Sequence, residues 1–250
     1  MESDIKYDCR WSGKVDNHFM EDFLQVQNEV FHHGTKEDFI RQFTNNIYGE
    51  SVIVVVYIDH RPVAARALWR NDIYGKEAYQ PGSTCVLEIC RGRGIFTEMT
   101  ERALDMLPTG AIVYNFPNPY SYPGYIKMGW TLLHDYKMRL FISYKAYIHE
   151  HPVKIDDEYF EWWLKGRTLT YMHRKGHFFL LNKDHRPFCY RILGEVSETA
   201  AKCFPQTRIG LFFYKSTRQT WYNKRQLYSH VVTRNPEVGY IPTWKIDAIG

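Results

Sequence analysis

Apolar side chains recur at helical spacing between Asn17 and Phe31, at Phe19, Phe23, Val26 and Val30, and this predicts a first helix. Thr35 to Phe43 reads as a second, with Thr35 as its N-cap and Asp38 three residues on. A β-branched run from Ser51 to Ile58 then meets the turn Asp59-His60-Arg61-Pro62 and a second apolar run, Val63 to Trp69, which together predict a hairpin. The polar, glycine-containing stretch Asn71 to Gly82 reads as a loop, Thr84 to Ile89 as a short strand, and Ile95 to Leu107 as an amphipathic helix. Beyond it come a strand (Ala111 to Phe116), a short helix (Tyr120 to Met128) and a closing pair of strands (Trp130 to Ile148). The order α-α-β-β-β-α-β-α-β-β is that of a mixed α+β layer.

The tetrapeptide Asp59-His60-Arg61-Pro62 recurs as Asp184-His185-Arg186-Pro187, again between two strand-like runs. Two readings stand. Either residues Tyr159 to Gly250 are an abbreviated second copy of the same sheet unit, or Asp and Pro have converged on one turn chemistry. The expected division is a first domain over residues 1–147 and a strand-rich C-terminal domain over 148–250.

With 250 residues, 44% of them apolar and 24% charged, the chain can bury a real core. No apolar run reaches 18 residues, and Met1-Glu2-Ser3-Asp4 lacks the basic-then-apolar order of an export signal, so the expected location is the cytoplasm, with no membrane contact. Five cysteines without a C-x-x-C pair suggest reduced structural thiols. A net charge of +4 argues against a nucleic-acid partner and leaves room for a small anionic ligand.

Chemistry concentrates in Cys85-Val86-Leu87-Glu88-Ile89-Cys90-Arg91-Gly92-Arg93-Gly94-Ile95-Phe96-Thr97, a strand running into a glycine-rich turn that opens a helix. Glycines let the backbone approach a ligand closely, and the free N–H groups of a first helical turn attract negative oxygens. Arg91 and Arg93 add charge, so Arg91 to Phe96 form a candidate anion site. A P-loop would need Lys-Ser or Lys-Thr after these glycines, and a dinucleotide fingerprint a third glycine where Thr97 stands.

Arg91-Gly92-Arg93-Gly94-Ile95-Phe96 resembles the R-x-x-G-x-G/A pyrophosphate motif of Gcn5-related N-acetyltransferases (GNAT), with Phe96 in place of the last small residue. Asn118, Tyr125, Lys127 and Gly129-Trp130 are similar to that family's later N-x-x-x-x-x-x-Y-x-K-x-G-F pattern. The resemblance covers roughly residues 4–144. The Gly94-Ile95-Phe96 variant and the segment Asn115 to Tyr125 are similar to bacterial members linked to sugar or surface-polysaccharide pathways.

That resemblance implies a GNAT fold, and if the repeat is real the C-terminal half is a degenerate GNAT-like unit. It also implies acetyl-CoA or another acyl-CoA as co-substrate, no metal, and a small primary amine as acceptor, for which a nucleotide-linked amino sugar is one candidate. Backbone groups of Val86, Leu87 and Glu88 would meet the pantetheine arm and thioester, Asn118 would touch the coenzyme, and Tyr125 would protonate the departing thiolate. The base is open. Glu88 is the first candidate, as the one acidic residue on the expected central strand, with His134 and Glu77 behind it. His32-His33 and His149-Glu150-His151 lack the spacing of a metal site. Trp162, Trp163, Arg167 and Trp221 could wall an acceptor cleft. An acceptor amine on a modified nucleobase or protein, an inactive binding module of the same fold, and a homodimer are all compatible with the sequence.

Overall fold

The computed structural model describes residues 4–32, 34–151, 153–218 and 229–248. The chain divides into two compact units, Met1–Asn115 with Gly124–Trp130 and Thr233–Asn235, and Phe116–Pro123 with Thr131–Val232 and Pro236–Gly250.

In the first unit, β1 (Ile5–Trp11) is followed by α1 (Asn17–Phe31) and by α2 (Lys36–Phe39), which continues into a π-helical turn at Ile40–Thr44. Asp16 caps α1 by accepting from the Phe19 N–H at 2.8 Å, and Thr35 caps α2 through the Asp38 N–H at 3.1 Å. Then come β2 (Val52–Ile58), β3 (Arg61–Arg70), β4 (Ala78–Val86), a 3₁₀ turn at Glu88–Cys90, α3 (Ile95–Asp105), β5 (Ile112–Asn115) and α4 (Tyr122–Lys127), whose residues from Gly124 count with this unit. The strand order is β1-β2-β3-β4-β5. Pairing is antiparallel except between β4 and β5, as expected when a helix such as α3 connects two neighbours. Val52 to Val56 are all fully buried, so β2 reads as a continuous apolar run and not an alternating one. Three residues from the far end of the sequence complete this unit. Val113 donates to Asn235 Oδ1 at 2.8 Å, and its carbonyl accepts from Thr233 Oγ1 at 2.7 Å and from the Arg234 N–H at 3.1 Å.

The second unit holds β6 (Thr131–Leu140), α5 (Tyr144–Glu150), α6 (Asp157–Tyr159) with a π-helical turn at Phe160–Leu164, β7 (Thr170–Arg174), β8 (His177–Lys183), β9 (Cys189–Val196), α7 (Glu198–Ala201), β10 (Leu211–Ser216) and most of β11 (Ser229–Thr233). Its strands run β7-β8-β9-β10-β6. The pairs β7/β8 and β8/β9 are antiparallel and β9/β10 is parallel across α7, the same succession as β2, β3, β4 and β5 across α3. The two tetrapeptides nevertheless occupy different hairpins. Asp59 and His60, at φ 48° and 67°, make the two-residue turn between β2 and β3. The turn at the matching place in the second unit is Lys175-Gly176, at φ 51° and 82°, whereas Asp184 to Pro187 belong to the longer β8/β9 turn. The tetrapeptide identity is therefore shared turn chemistry, and the likeness of the units lies in strand pairing.

Four elements differ from the sequence reading. The strand β1 was not expected. Ala78 to Val86 is one strand where a loop was expected as far as Gly82. The closing strand pair is one strand, β6, followed by the helix α5. Glu88 stands on a 3₁₀ turn beyond the strand, with its side chain exposed.

Candidate functional site

The end of β4 is pinned by the Leu87 N–H, which donates to Val63 O at 2.9 Å, and the chain then turns through Glu88–Cys90 into Arg91-Gly92-Arg93-Gly94. Gly92 and Gly94 both have φ of 77°, in the left-handed region where a side chain is strained. An added Cβ would meet nothing within 4 Å at either position, so backbone conformation and not crowding demands glycine there. Gly94 is also the N-cap of α3 and offers no side chain to its first turn, which leaves N–H groups available to an anion. The face carrying Ile95, Met99, Thr100 and Ala103 is buried and fixes that helix. Arg91 donates Nε to Val86 O at 3.2 Å, and its Nη groups have no partner among the described residues.

β4 and β5 pair only at Ala78 with Ile112 and at Tyr79 with Val113, after which β5 gives β4 no further partner. β4 itself bulges opposite Ala65–Ala67, where Ser83 takes φ of 47°. Gln27 from α1 holds the bulge, donating to Ser83 O and, at 3.0 Å, to Cys85 Sγ. Burial pushes the Cys85 thiol up to about 12, which keeps it protonated and inert as a nucleophile.

Tyr125 is 2% exposed and lies edge-on to Phe96 and Trp130, with ring centroids at 5.6 Å and 4.8 Å. Its hydroxyl accepts a hydrogen bond from Arg66 Nη2 at 2.7 Å and also bonds the Asn115 side chain. Burial raises the phenol above its ordinary value, the positive charge of Arg66 opposes that rise, and the group stays protonated at neutral pH. Phe96, which departs from the small residue of the motif, has found its space at Gly124, where an added Cβ would stand 2.9 Å from the Phe96 ring. Arg66, from the middle of β3, places its guanidinium carbon 4.7 Å from the Phe96 ring centroid. It was missed in the sequence, although a lone arginine inside Val63-Ala64-Ala65-Arg66-Ala67-Leu68-Trp69 is a signal in itself, because a charge in so apolar a run must find partners.

Arg91 to Phe96, Val86, Leu87, Glu88 and Tyr125 all belong to the first unit. Val86 is the last residue of β4, and Leu87 has both its N–H and its carbonyl engaged, the latter by the Cys90 N–H at 2.9 Å. Asn118 belongs to the second unit, where its Oδ1 accepts from the N–H groups of Tyr120 and Ser121 at 3.0 and 2.9 Å just ahead of α4. Glu77 accepts from Arg70 Nη1 at 2.9 Å and from the Tyr79 hydroxyl at 2.6 Å, so it is committed to an ion pair. His134 Nε2 lies 3.1 Å from Gly239 O in the second unit. There Trp163 is buried, with the half-buried Trp162 packed against it at 5.2 Å and the half-buried Arg167 over its ring at 4.8 Å. His33 and Trp221 lie outside the described residues.

A family model described as an acetyltransferase (GNAT) domain matches residues 14–133. No curated protein matches the chain. Among solved structures, a conserved protein of unknown function and probable N-acyltransferase from Enterococcus faecalis V583 is similar over 92% of this chain and 72% of its own, at 13% identity and a TM-score of 0.53. A GCN5-related N-acetyltransferase from Kribbella flavida matches 92% of this chain and 71% of its own, at 12% identity and a TM-score of 0.52. At such identities the likeness is one of fold. Residues 14–133, which include the strand, the glycine turn without a side-chain cap and the helix that follows it, thus match a GNAT acetyltransferase domain.

Proposed function

We propose that the chain moves an acyl group, acetyl in the first instance, from acyl-CoA to the primary amine of a small molecule, by direct attack with Tyr125 as general acid. The observation that carries this reading is the α3 N-terminus behind Gly92 and Gly94, an anion site built of backbone. The pyrophosphate of the coenzyme would lie on the N–H groups of that turn beside Arg91 and Arg93, with the thioester arm toward the bulged β4. Glu88, exposed on the turn after β4, would take the proton of the ammonium directly or through water. The amine then adds to the thioester carbonyl, the C–S bond of the tetrahedral adduct breaks, and the electron pair leaves on sulfur. Tyr125 supplies the proton that turns this thiolate into a thiol. The described residues of the second unit would hold no coenzyme site of their own, since α7 spans only Glu198–Ala201 and follows no glycine turn.

The test of the function is a mass-spectrometric screen for acylated product, with acetyl-CoA and longer acyl-CoAs against an amine panel that includes nucleotide-linked amino sugars. One acylated small amine with release of free coenzyme A is the expected result, and acylation confined to protein or nucleic-acid amines would overturn the small-molecule reading. For the coenzyme site, Arg91→Ala is expected to weaken acetyl-CoA binding by about 1 to 3 kcal/mol, the scale of a lost charge-assisted hydrogen bond. Calorimetry on the folded variant checks this, and an unchanged Kd would remove Arg91 from the site.

A further inference from the structure

Arg66 is fully buried, and no carboxylate among the described residues lies within ion-pair distance of it. Its donors go to neutral hydroxyls instead: Nε to Thr84 Oγ1 at 3.1 Å, Nη1 to Thr100 Oγ1, and Nη2 to the Tyr125 hydroxyl at 2.7 Å. Its two aromatic neighbours, Phe96 and Tyr125, lie with ring centroids 4.7 and 5.6 Å from its guanidinium carbon. A cation held in a dry site with no counter-charge is costly, and replacing such a group with an apolar one is often neutral or stabilising. None of its three partners depends on it for satisfaction. Thr84 Oγ1 also donates to Gly82 O at 3.2 Å, Thr100 Oγ1 to Phe96 O, and Tyr125 keeps Asn115. A charge that stability does not require, aimed at one phenol, has its use where negative charge appears on that phenol.

We infer that Arg66 is a positioning residue of the acyl transfer, holding the Tyr125 hydroxyl and stabilising the phenolate left when its proton passes to the departing thiolate. The inference rests on the general-acid reading of Tyr125. The balance is simple: the C–S bond breaks with its electrons on sulfur, the Tyr125 O–H bond breaks, an S–H bond forms, and the phenolate is reprotonated from the proton that the amine gives up. Phe96 belongs to the same device. Its ring covers the guanidinium and excludes water, and Gly124 leaves it room.

The experiment places 3,5-difluorotyrosine at position 125 in the full chain and in an Arg66→Met variant, and follows the ¹⁹F shift against pH. Removing the guanidinium is expected to raise the apparent pKa of the fluorinated phenol by about one unit or more, with thermal stability unchanged or improved. The kinetic arm measures thiol release from acetyl-CoA with hydroxylamine as the minimal amine. Arg66→Met should lower turnover roughly 10- to 100-fold with little change in acetyl-CoA KM. It should cost nothing further in a Tyr125→Phe background, and the more acidic fluorophenol should restore much of the loss. An unshifted titration, additive losses in the double variant, or a fluorophenol that fails to rescue would overturn the inference while leaving Tyr125 as the acid. Unchanged turnover in Tyr125→Phe alone would instead remove the general-acid reading, and this inference with it. Arg66→Lys provides a second folded variant if Arg66→Met is insoluble, and with its charge kept it should move the titration less.

Discussion

Tyr125→Phe is expected to lower turnover by about 10²-fold while leaving the affinity for acetyl-CoA nearly unchanged, the pattern of an interaction made only as the thiolate leaves. The substitution is structurally mild. Phenylalanine keeps the edge contacts to Phe96 and Trp130, and Arg66 keeps its bonds to Thr84 and Thr100. Loss of the hydroxyl leaves one buried Arg66 donor without its acceptor, a cost of about 1 to 3 kcal/mol that a melting curve would register separately from catalysis. The pH dependence has a definite sign. A general acid works in its protonated form, and burial holds this phenol above its ordinary value, so turnover should not fall through loss of its proton anywhere near neutral pH. Single-turnover kinetics with bound acetyl-CoA makes the test sharp, because they isolate chemistry from product release. Full turnover by the variant, with the chemical step shown to limit the rate, would return Tyr125 to the role of a packing residue between α4 and its neighbours.

How far such a site can be read from sequence depends on whether its parts are local. The strand, glycine turn and helix around Arg91 to Phe96 are consecutive, and the left-handed glycines that make the turn are visible as letters. Arg66, Thr84, Thr100 and Tyr125 meet only when β3, β4, α3 and α4 are assembled, and nothing in their spacing announces it. The missed strand β1 is a different case. Ile5, Tyr7, Cys9 and Trp11 alternate with Lys6, Asp8 and Arg10, a period of two that is legible once the register against β2 is known. β4 was cut short because the polar, glycine-containing stretch up to Gly82 reads as loop, yet even Pro81 is tolerated in the strand: β4 has no β5 partner beyond Tyr79, so that edge of Pro81 meets no ladder. Around Tyr144–Glu150 local composition misled. Tyr144, Tyr147 and Ile148 favour strands, and it is packing of Tyr147 against Phe141, Phe179 and Tyr214 that goes with a helix.

That packing makes the second large effect predictable. Phe179 is fully buried on β8, with ring centroids 5.4 Å from both Phe141 and Tyr147 and 6.2 Å from Tyr144. It thus joins the sheet of the second unit to α5 and to the chain leaving β6, and Leu181 and Ile192 close the same cluster. Phe179→Ala removes a whole ring from a cluster made mostly of aromatic and branched side chains, with Met172 directly across the β7/β8 ladder. Rigid rings anchored on separate strands and a helix collapse poorly into such a void, so the cost should lie at about 3 to 5 kcal/mol, in the upper range for large-to-small core changes. Domains of ordinary stability have only about 5 to 15 kcal/mol in total, so the variant should melt many degrees lower and shed amide protection first along β7, β8 and β9. Phe179→Leu, which refills most of the volume, should recover more than half of the loss. Chemical denaturation with native-state hydrogen exchange on the full chain reads both quantities. A loss under about 1 kcal/mol for Phe179→Ala, or equal losses for alanine and leucine, would mean that the helix α5 is held by something other than this aromatic cluster.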